Sequence, residues 1–355
     1  MFQPTPQLPK WSEFSAVSCP PGGDCTAVGM YFNGTEDATL AEHWNGTKWA
    51  KQATPSPAGD SAELTAASCA PGSGCLAVGD YEALDVYVYP LVESWDGSTW
   101  VQLPAPATPP GTTADGFGLD GVSCPAPSDC IVVGWSAHPG DRESPLAESW
   151  DGTSWTILPT GRPAHVRQAS LAGVSCTSPS ACTAVGTSSP VLGQFNGLAE
   201  RWNGTRWIIQ HLSPAAGPGV ELSGVSCTAG RTCMAVGYTN GDDSTAPVAE
   251  QWTGGHWSTR ATPDIGTSGS LSSVSCSYAV ACTAVGDYVL GTSFYALAEH
   301  WNGSTWKRQI TPWPNRGTAL DSVACLPASG CTAAGEAPSL HGHRRDSFNT
   351  IVEHR

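Results

Sequence analysis

Apolar and polar positions in this chain alternate over short runs of roughly four to eight residues, and turn residues interrupt every run. One stretch reads Glu63-Leu-Thr-Ala-Ala-Ser-Cys69, a Pro/Gly-rich loop, then Cys75-Leu-Ala-Val-Gly79. After a variable stretch come Pro90-Leu-Val-Glu93-Ser-Trp95 and Trp100-Val-Gln-Leu103. Runs of this kind, rich in β-branched and aromatic residues and bounded by Gly, Pro, Asn and Asp, predict four strands. We label them A (L-x-x-V-S-C), B (C-x-A-V-G), C (L-A-E-x-W) and D (from the second Trp). The unit recurs from Cys19, Cys69, Cys124, Cys176, Cys227, Cys276 and Cys325, a period of about 50 residues that marks a repeat architecture.

Seven such units predict an all-β fold, a seven-bladed β-propeller of four-stranded antiparallel blades in one domain spanning 1–355. The repeats run roughly over 12–61, 62–117, 118–169, 170–220, 221–269, 270–318 and 319–355. The last repeat reaches only Ile351-Val-Glu-His-Arg355, the strand C position. Phe2-Gln-Pro-Thr-Pro6 aligns with Lys51-Gln-Ala-Thr-Pro55, so residues 1–11 are expected to supply its outer strand and close the ring. Closure removes an exposed sheet edge.

Between the paired Trp residues lie Asn45-Gly46, Asp96-Gly97, Asp151-Gly152, Asn203-Gly204, Thr253-Gly254 and Asn302-Gly303. Asn-Gly and Asp-Gly favour type I′ hairpin turns. Asn33, Asn45, Asn203 and Asn302 also fit the glycosylation pattern N-x-S/T.

All 14 Cys fall into seven C-x5-C pairs. Repeated local pairs with none left over predict disulfides and an oxidising compartment. Metal thiolates are the rival, but no C-x2-C knuckle occurs and no His recurs beside the pairs. A disulfide closing so small a loop contributes roughly 2 kcal/mol, so blade-on-blade packing around the repeated Trp is expected to carry most of the stability.

Composition narrows the picture. Charged residues make up 13% of the chain, with Gly 40, Pro 29, Trp 15 and net charge −15. That excess of acid argues against nucleic-acid partners, which need clustered Lys and Arg. No stretch is long and apolar enough for a membrane span. Residues 1–18 lack the basic start and apolar run of a signal peptide, so an exported protein would be represented here by its mature form with an added Met.

The combination V-S-C-x5-C-x-A-V-G with L-A-E-x-W-N-G-x-x-W resembles repeats in secreted, disulfide-containing propeller proteins of actinobacteria. Some of these act as lectin-like subunits. The resemblance covers essentially the whole chain; it implies the fold and secretion and says little of activity. Asp-Gly-Ser-Thr-Trp at 96–100 is similar to the Asp-box of sialidase propellers but lacks the residue between Asp and Gly, so no sialidase site is carried over. The paired Trp are kelch-like, without the double-Gly signature.

Function is expected where the copies diverge. The A–B and C–D turns lie on one face of the ring and nearly repeat; the B–C and D–A connections lie on the other and differ in every copy. Loops on a rigid scaffold are where binding groups appear. Just after A-V-G an aromatic recurs as Tyr31, Tyr81, Trp135, Tyr238 and Tyr288, with Asp80 and Asp287 beside it. These residues would suit stacking against sugar rings; alternatively, the rings cap the blade core. Strand C carries Glu42, Glu93, Glu148, Glu200, Glu250, Glu299 and Glu353. Seven equivalent carboxylates point to a structural role, accepting hydrogen bonds from a neighbouring strand or from the Ser of V-S-C.

Glu13, Glu63, Asp120, Glu221 and Asp321 near the start of strand A would ring the channel mouth as solvated charges, as a site for Ca²⁺ or a cationic ligand, or as an acid–base pair. No cofactor is expected otherwise. His341-Gly-His-Arg-Arg-Asp346 is the only basic patch and reads as a loop tip. No G-x-S-x-G, H-E-x-x-H, P-loop or G-x-G-x-x-G context appears. The leading expectation is a non-enzymatic, secreted, carbohydrate-binding module recognising a glycan or cell-surface carbohydrate. The resemblance alone implies that it would serve within a larger extracellular assembly or toxin particle with protein partners. The alternatives are a glycoside hydrolase or polysaccharide lyase using the rim carboxylates, and a protein-interaction scaffold.

Overall fold

The computed structural model describes residues 2–3, 11–57, 61–70, 74–83, 87–113, 116–140, 142–191, 193–214, 219–229, 232–241, 244–265, 268–311, 316–327, 330–338 and 348–354. In the first blade, strands A to D are Ser12–Ser18, Thr26–Phe32, Asp37–Trp44 and Trp49–Gln52, hydrogen-bonded in that order as an antiparallel sheet. Five more sheets repeat the order over 61–102, 117–157, 168–210, 220–259 and 268–308. A seventh, partial blade has Ala319–Leu326, Gly330–Pro338 and Phe348–His354 as A, B and C. The two residues Phe2–Gln3 pair with its strand C, Phe2 opposite Glu353 and Gln3 opposite Val352. The fold is thus a β-propeller of four-stranded blades, six complete and one partial.

Strand A is innermost: each packs against strand A of the next blade, and that of the partial blade packs against both blade 6 and blade 1. The Ser of V-S-C ties these strands together. Cys69 N–H donates to Ser18 Oγ at 2.9 Å, and the same bond recurs blade by blade as far as Cys325 to Ser275. Val17 N–H donates to Ser322 Oγ at 3.0 Å between blade 1 and the partial blade. Each bond satisfies a backbone donor that packing would otherwise strand.

Core clusters straddle neighbouring blades. Leu76 and Val78 of blade 2 pack with Phe117, Leu119 and Trp150 of blade 3, so burial comes from stacking rather than from any one blade. In each complete blade the two Trp flanking the C–D turn are register partners, as with Trp44 and Trp49, whose rings lie 5.8 Å apart and tilted. All seven C-x5-C pairs are disulfides, and Cys69 and Cys75 face each other in register across the A–B hairpin.

The C–D turn departs from the type I′ expectation. Four residues separate Trp44 from Trp49, Asn45 N–H donates to Lys48 C=O, and only Gly46 has positive φ, at 89°. The Asn45 side chain builds the turn instead, with Oδ1 accepting from the Thr47 and Lys48 N–H groups at 3.0 and 3.1 Å. Such Asx turns explain why Asp serves equally well in blades 2 and 3.

Candidate functional site

Strand A carries the same β-bulge in every blade, between Leu64 and Ala66 in blade 2 and between Leu119 and Gly121 in blade 3. The bulge brings strand A's backbone against the glycine of A-V-G. A Cβ on Gly79 would overlap the Glu63 carbonyl oxygen and lie 2.8 Å from Leu64 Cα. Bulges re-aim side chains; here Asp120 and Asp321 occupy the bulge, whereas Glu13, Glu63 and Glu221 pair opposite the residue after the glycine.

The acids gather unevenly around the ring. In blade 2, Glu63 faces Asp80 directly. Burial, then the charges of Asp80, Glu13 and Asp37, push the Glu63 carboxyl up to about 7. Asp120 of blade 3 reaches about 7 through burial and the charges of Asp80 and Glu143. Asp321 and Glu336 of the partial blade reach about 7 through burial and a shared field from Glu13 and Asp287. Burial and Asp37 also raise Glu13. The acids therefore form an arc through blade 6, the partial blade and blades 1, 2 and 3. Glu221 of blade 5 stands outside it, accepting from Asn240 Nδ2 and hydrogen-bonded to Tyr238. Among the described residues, no group of three or more His, Cys, Asp or Glu is placed to hold a metal ion.

The aromatics do not form one ring, because they occupy two registers. Trp135 and Tyr238, like Asp80 and Asp287, directly follow the glycine; Tyr31, Tyr81 and Tyr288 come one residue later. Adjacent strand residues point to opposite faces. Tyr31, Tyr81 and Tyr288 are half-buried against the blade clusters. Lys51 Nζ lies 3.5 Å over the Tyr31 ring and Arg308 4.1 Å over that of Tyr288. Tyr81 and Tyr288 also stack on Tyr89 and Tyr295 at 5.4 and 5.5 Å. On the other register, Trp135 lies over Gly118, where a Cβ would meet the indole Nε1 at 2.6 Å. Asp287 Oδ1 accepts from Ser270 Oγ at 2.8 Å.

In the middle of the acidic arc, at the variable end of blade 1, a cavity of about 570 Å³ is lined by Trp11, Ser12, Glu13, Met30, Phe32 and Asp37. Trp11 is 45% exposed and Phe32 37%. Trp11 has φ 68°, uncommon for a bulky residue and of the kind that clusters at ligand sites. Phe32 N–H holds it in place by donating to Trp11 C=O at 2.9 Å. The sequence reading missed this site, since Trp11 precedes the first strand and Met30 takes the place of an aromatic.

The strand C glutamates have a different task. Glu42, Glu93, Glu148, Glu200, Glu250 and Glu299 are fully buried. Glu148 Oε2 accepts from Ala107 N–H at 3.1 Å, Glu200 Oε2 from Gly161 N–H at 2.7 Å and Glu250 Oε2 from Ser213 N–H at 3.3 Å. Each of these donors lies in the linker entering that blade. Thr39 Oγ1 on strand C of blade 1 donates to Glu93 Oε1, and Thr259 Oγ1 on the adjacent strand D donates to Glu250 Oε1. These four glutamates accept from a linker or a neighbouring strand, not from the Ser of V-S-C. The side chain of Glu353 and the segment His341–Asp346 lie outside the described residues.

No family profile and no curated protein matches the sequence. Among solved structures, YCF48 from Cyanidioschyzon merolae is similar with a TM-score of 0.58 at 12% identity, over 100% of this chain and 98% of that one. A polysaccharide lyase of a new family, an ulvan lyase, gives 0.53 at 8%, over 97% and 91%. YjhT gives 0.53 at 12%, over 85% and 99%. Identity this low speaks for fold alone: the chain is a disulfide-stapled β-propeller of four-stranded antiparallel blades, with no helix among the described residues able to cross a membrane.

Proposed function

We propose that the protein is a secreted, seven-bladed, lectin-like binding module, its ring closed by Phe2–Gln3, that takes a carbohydrate in the blade 1 cavity. The observation that carries this reading is the cavity itself, within the usual range of roughly 300–1,000 Å³ for ligand sites. Its wall offers a half-exposed indole and phenyl face, and Glu13 and Asp37 offer carboxylate acceptors for sugar hydroxyls. The surrounding acid arc favours neutral or amino sugars and repels uronic or sulfated ones. One cavity on an uneven arc supports a single site rather than one per blade. The seven disulfides fit an extracellular compartment, where a cell-surface glycan and further protein partners of an assembly would be met.

A glycan array, run with and without Ca²⁺, tests the reading. Binding to one neutral or basic sugar class is expected, reduced at least tenfold by Trp11→Ala. A blank array, or binding indifferent to Trp11→Ala and Asp37→Asn, overturns it. A second reading, a glycoside hydrolase or lyase, draws on Glu63 and Asp120, whose raised carboxyls would hold protons near neutrality as general acids must. Release of reducing sugar abolished by Glu63→Gln or Asp120→Asn would favour it; activity surviving both would remove it.

A further inference from the structure

Strand parity fixes which neighbour the blade 1 cavity faces. Along strand B of blade 1, Ala27 packs toward the partial blade, in a cluster with Ala334, whereas Val28 packs toward blade 2. Alternate residues of a strand share a face, so Met30 and Phe32 face blade 2 with Val28. Glu13 and Asp37 stand opposite Met30 and Phe32 in register and point the same way. Two residues further along strand C, Thr39 has the same parity, and its Oγ1 donates to Glu93 Oε1 of blade 2 at 3.2 Å. The cavity therefore lies on the side of blade 1 turned toward blade 2.

The facing wall of blade 2 is aromatic at the same end. Tyr81 packs against the cluster shared by the two blades, which includes Val28 and Ala41 of blade 1, and Tyr89 is its register partner on strand C. Their rings stack with centroids 5.4 Å apart and planes 25° from parallel. Tyr89 has the parity of Leu91 and Glu93, both turned to blade 1. Counted along strand C from the Thr39–Glu93 bond, Asp37 comes level with Leu91, and Tyr89 stands two residues nearer the variable end. Tyr81 is half-buried and backs the stack, while Tyr89 is 36% exposed and presents ring surface at the rim.

We propose that the carbohydrate site extends from the blade 1 cavity across the cleft to Tyr81 and Tyr89, and that it recognises a chain of two or more sugar units rather than a single terminal sugar. This rests on the carbohydrate reading of the blade 1 cavity. A sugar ring lays its apolar C–H face on an aromatic ring and turns its hydroxyls to polar groups at the edge. Trp11 and Phe32 offer one such platform, with Glu13 and Asp37 as acceptors beside it, and Tyr89 offers another on the next blade. Packed sheets stand roughly 10 Å apart, about the length of two linked sugar rings.

The test is an array of neutral and amino sugars, each displayed as the monosaccharide and as short chains of the same unit, probed with the full oxidised chain and its variants. Chains of the recognised sugar are expected to bind about tenfold tighter than the monosaccharide, the value of one added aromatic contact. Tyr89→Ala is expected to erase that advantage, Tyr89→Gln, which keeps bulk without a ring, to do the same, and Tyr89→Phe to retain it. The ratio of chain to monosaccharide is read within one variant, so a partly unfolded fraction cancels. Trp11→Ala is expected to lower both signals. Equal binding of monosaccharide and chain, or an advantage that survives Tyr89→Ala and Tyr89→Gln, overturns this inference and leaves the blade 1 site standing. A blank array overturns both.

Discussion

Glu93 lies fully buried between blades 1 and 2, with Thr39 Oγ1 donating to its Oε1 at 3.2 Å and Oε2 without a partner among the described residues. Burial pushes the carboxyl up from 4.5 to about 7, and the Thr39 hydroxyl offsets a little of this. In the unfolded chain it titrates near its ordinary value. Between those two pKa values the folded state holds a proton that the unfolded state has released, so the stability from the neutral form is complete below pH 4.5. It falls as pH rises and is gone above about pH 7. At about 1.4 kcal/mol per pH unit, the loss is about 3 kcal/mol. Glu93→Gln keeps a neutral side chain at every pH and removes that slope. Guanidinium unfolding with the disulfides intact, at pH 4.5, 6, 7 and 8, measures it. The variant is expected to gain on the parent by about 3 kcal/mol across the range, from near equality or slightly below at pH 4.5. Thr39→Val removes the hydrogen bond to the ionised form, raises the folded pKa further and is expected to extend the parental loss to higher pH at the same slope. A stability difference between parent and Glu93→Gln that stays constant from pH 4.5 to 8 would refute the reasoning.

Other predictions follow from the repeated contacts. Replacing Cys69 and Cys75 by Ser opens one staple across a six-residue separation and is expected to cost roughly 2 kcal/mol in denaturant midpoint analysis. Gly237→Ala places a Cβ against the Glu221 carbonyl and 2.9 Å from Leu222 Cα; a loss of at least about 3 kcal/mol is expected, with failure to express as the extreme result. Gln52→Leu leaves the indole N–H of Trp100 without its acceptor and is expected to lower stability by about 1 kcal/mol in the same unfolding assay.

The strands, the disulfide pairing and the repeat were legible in the sequence because each depends on local pattern. Period-two alternation marks a strand, C-x5-C spans one hairpin, and similar copies in a row must bury similar faces on one another. The glycine of A-V-G was visible as a repeated residue, but its cause, a bulge carrying the neighbouring strand's carbonyl against it, belongs to register between strands. Register also separated Tyr31, Tyr81 and Tyr288 from Trp135 and Tyr238, since one residue along a strand reverses the face. The strand C glutamates appeared as seven identical letters; only packing revealed that several bond to the linker entering their blade. Which acids meet was likewise a tertiary decision. Asp287, Asp321, Glu13, Glu63 and Asp120 lie far apart in sequence and are neighbours because the innermost strands stand side by side around the axis. The sequence alone determined what each blade is. Closure of the blades into a ring decided where charge accumulates and where Trp11 and Phe32 frame a cavity.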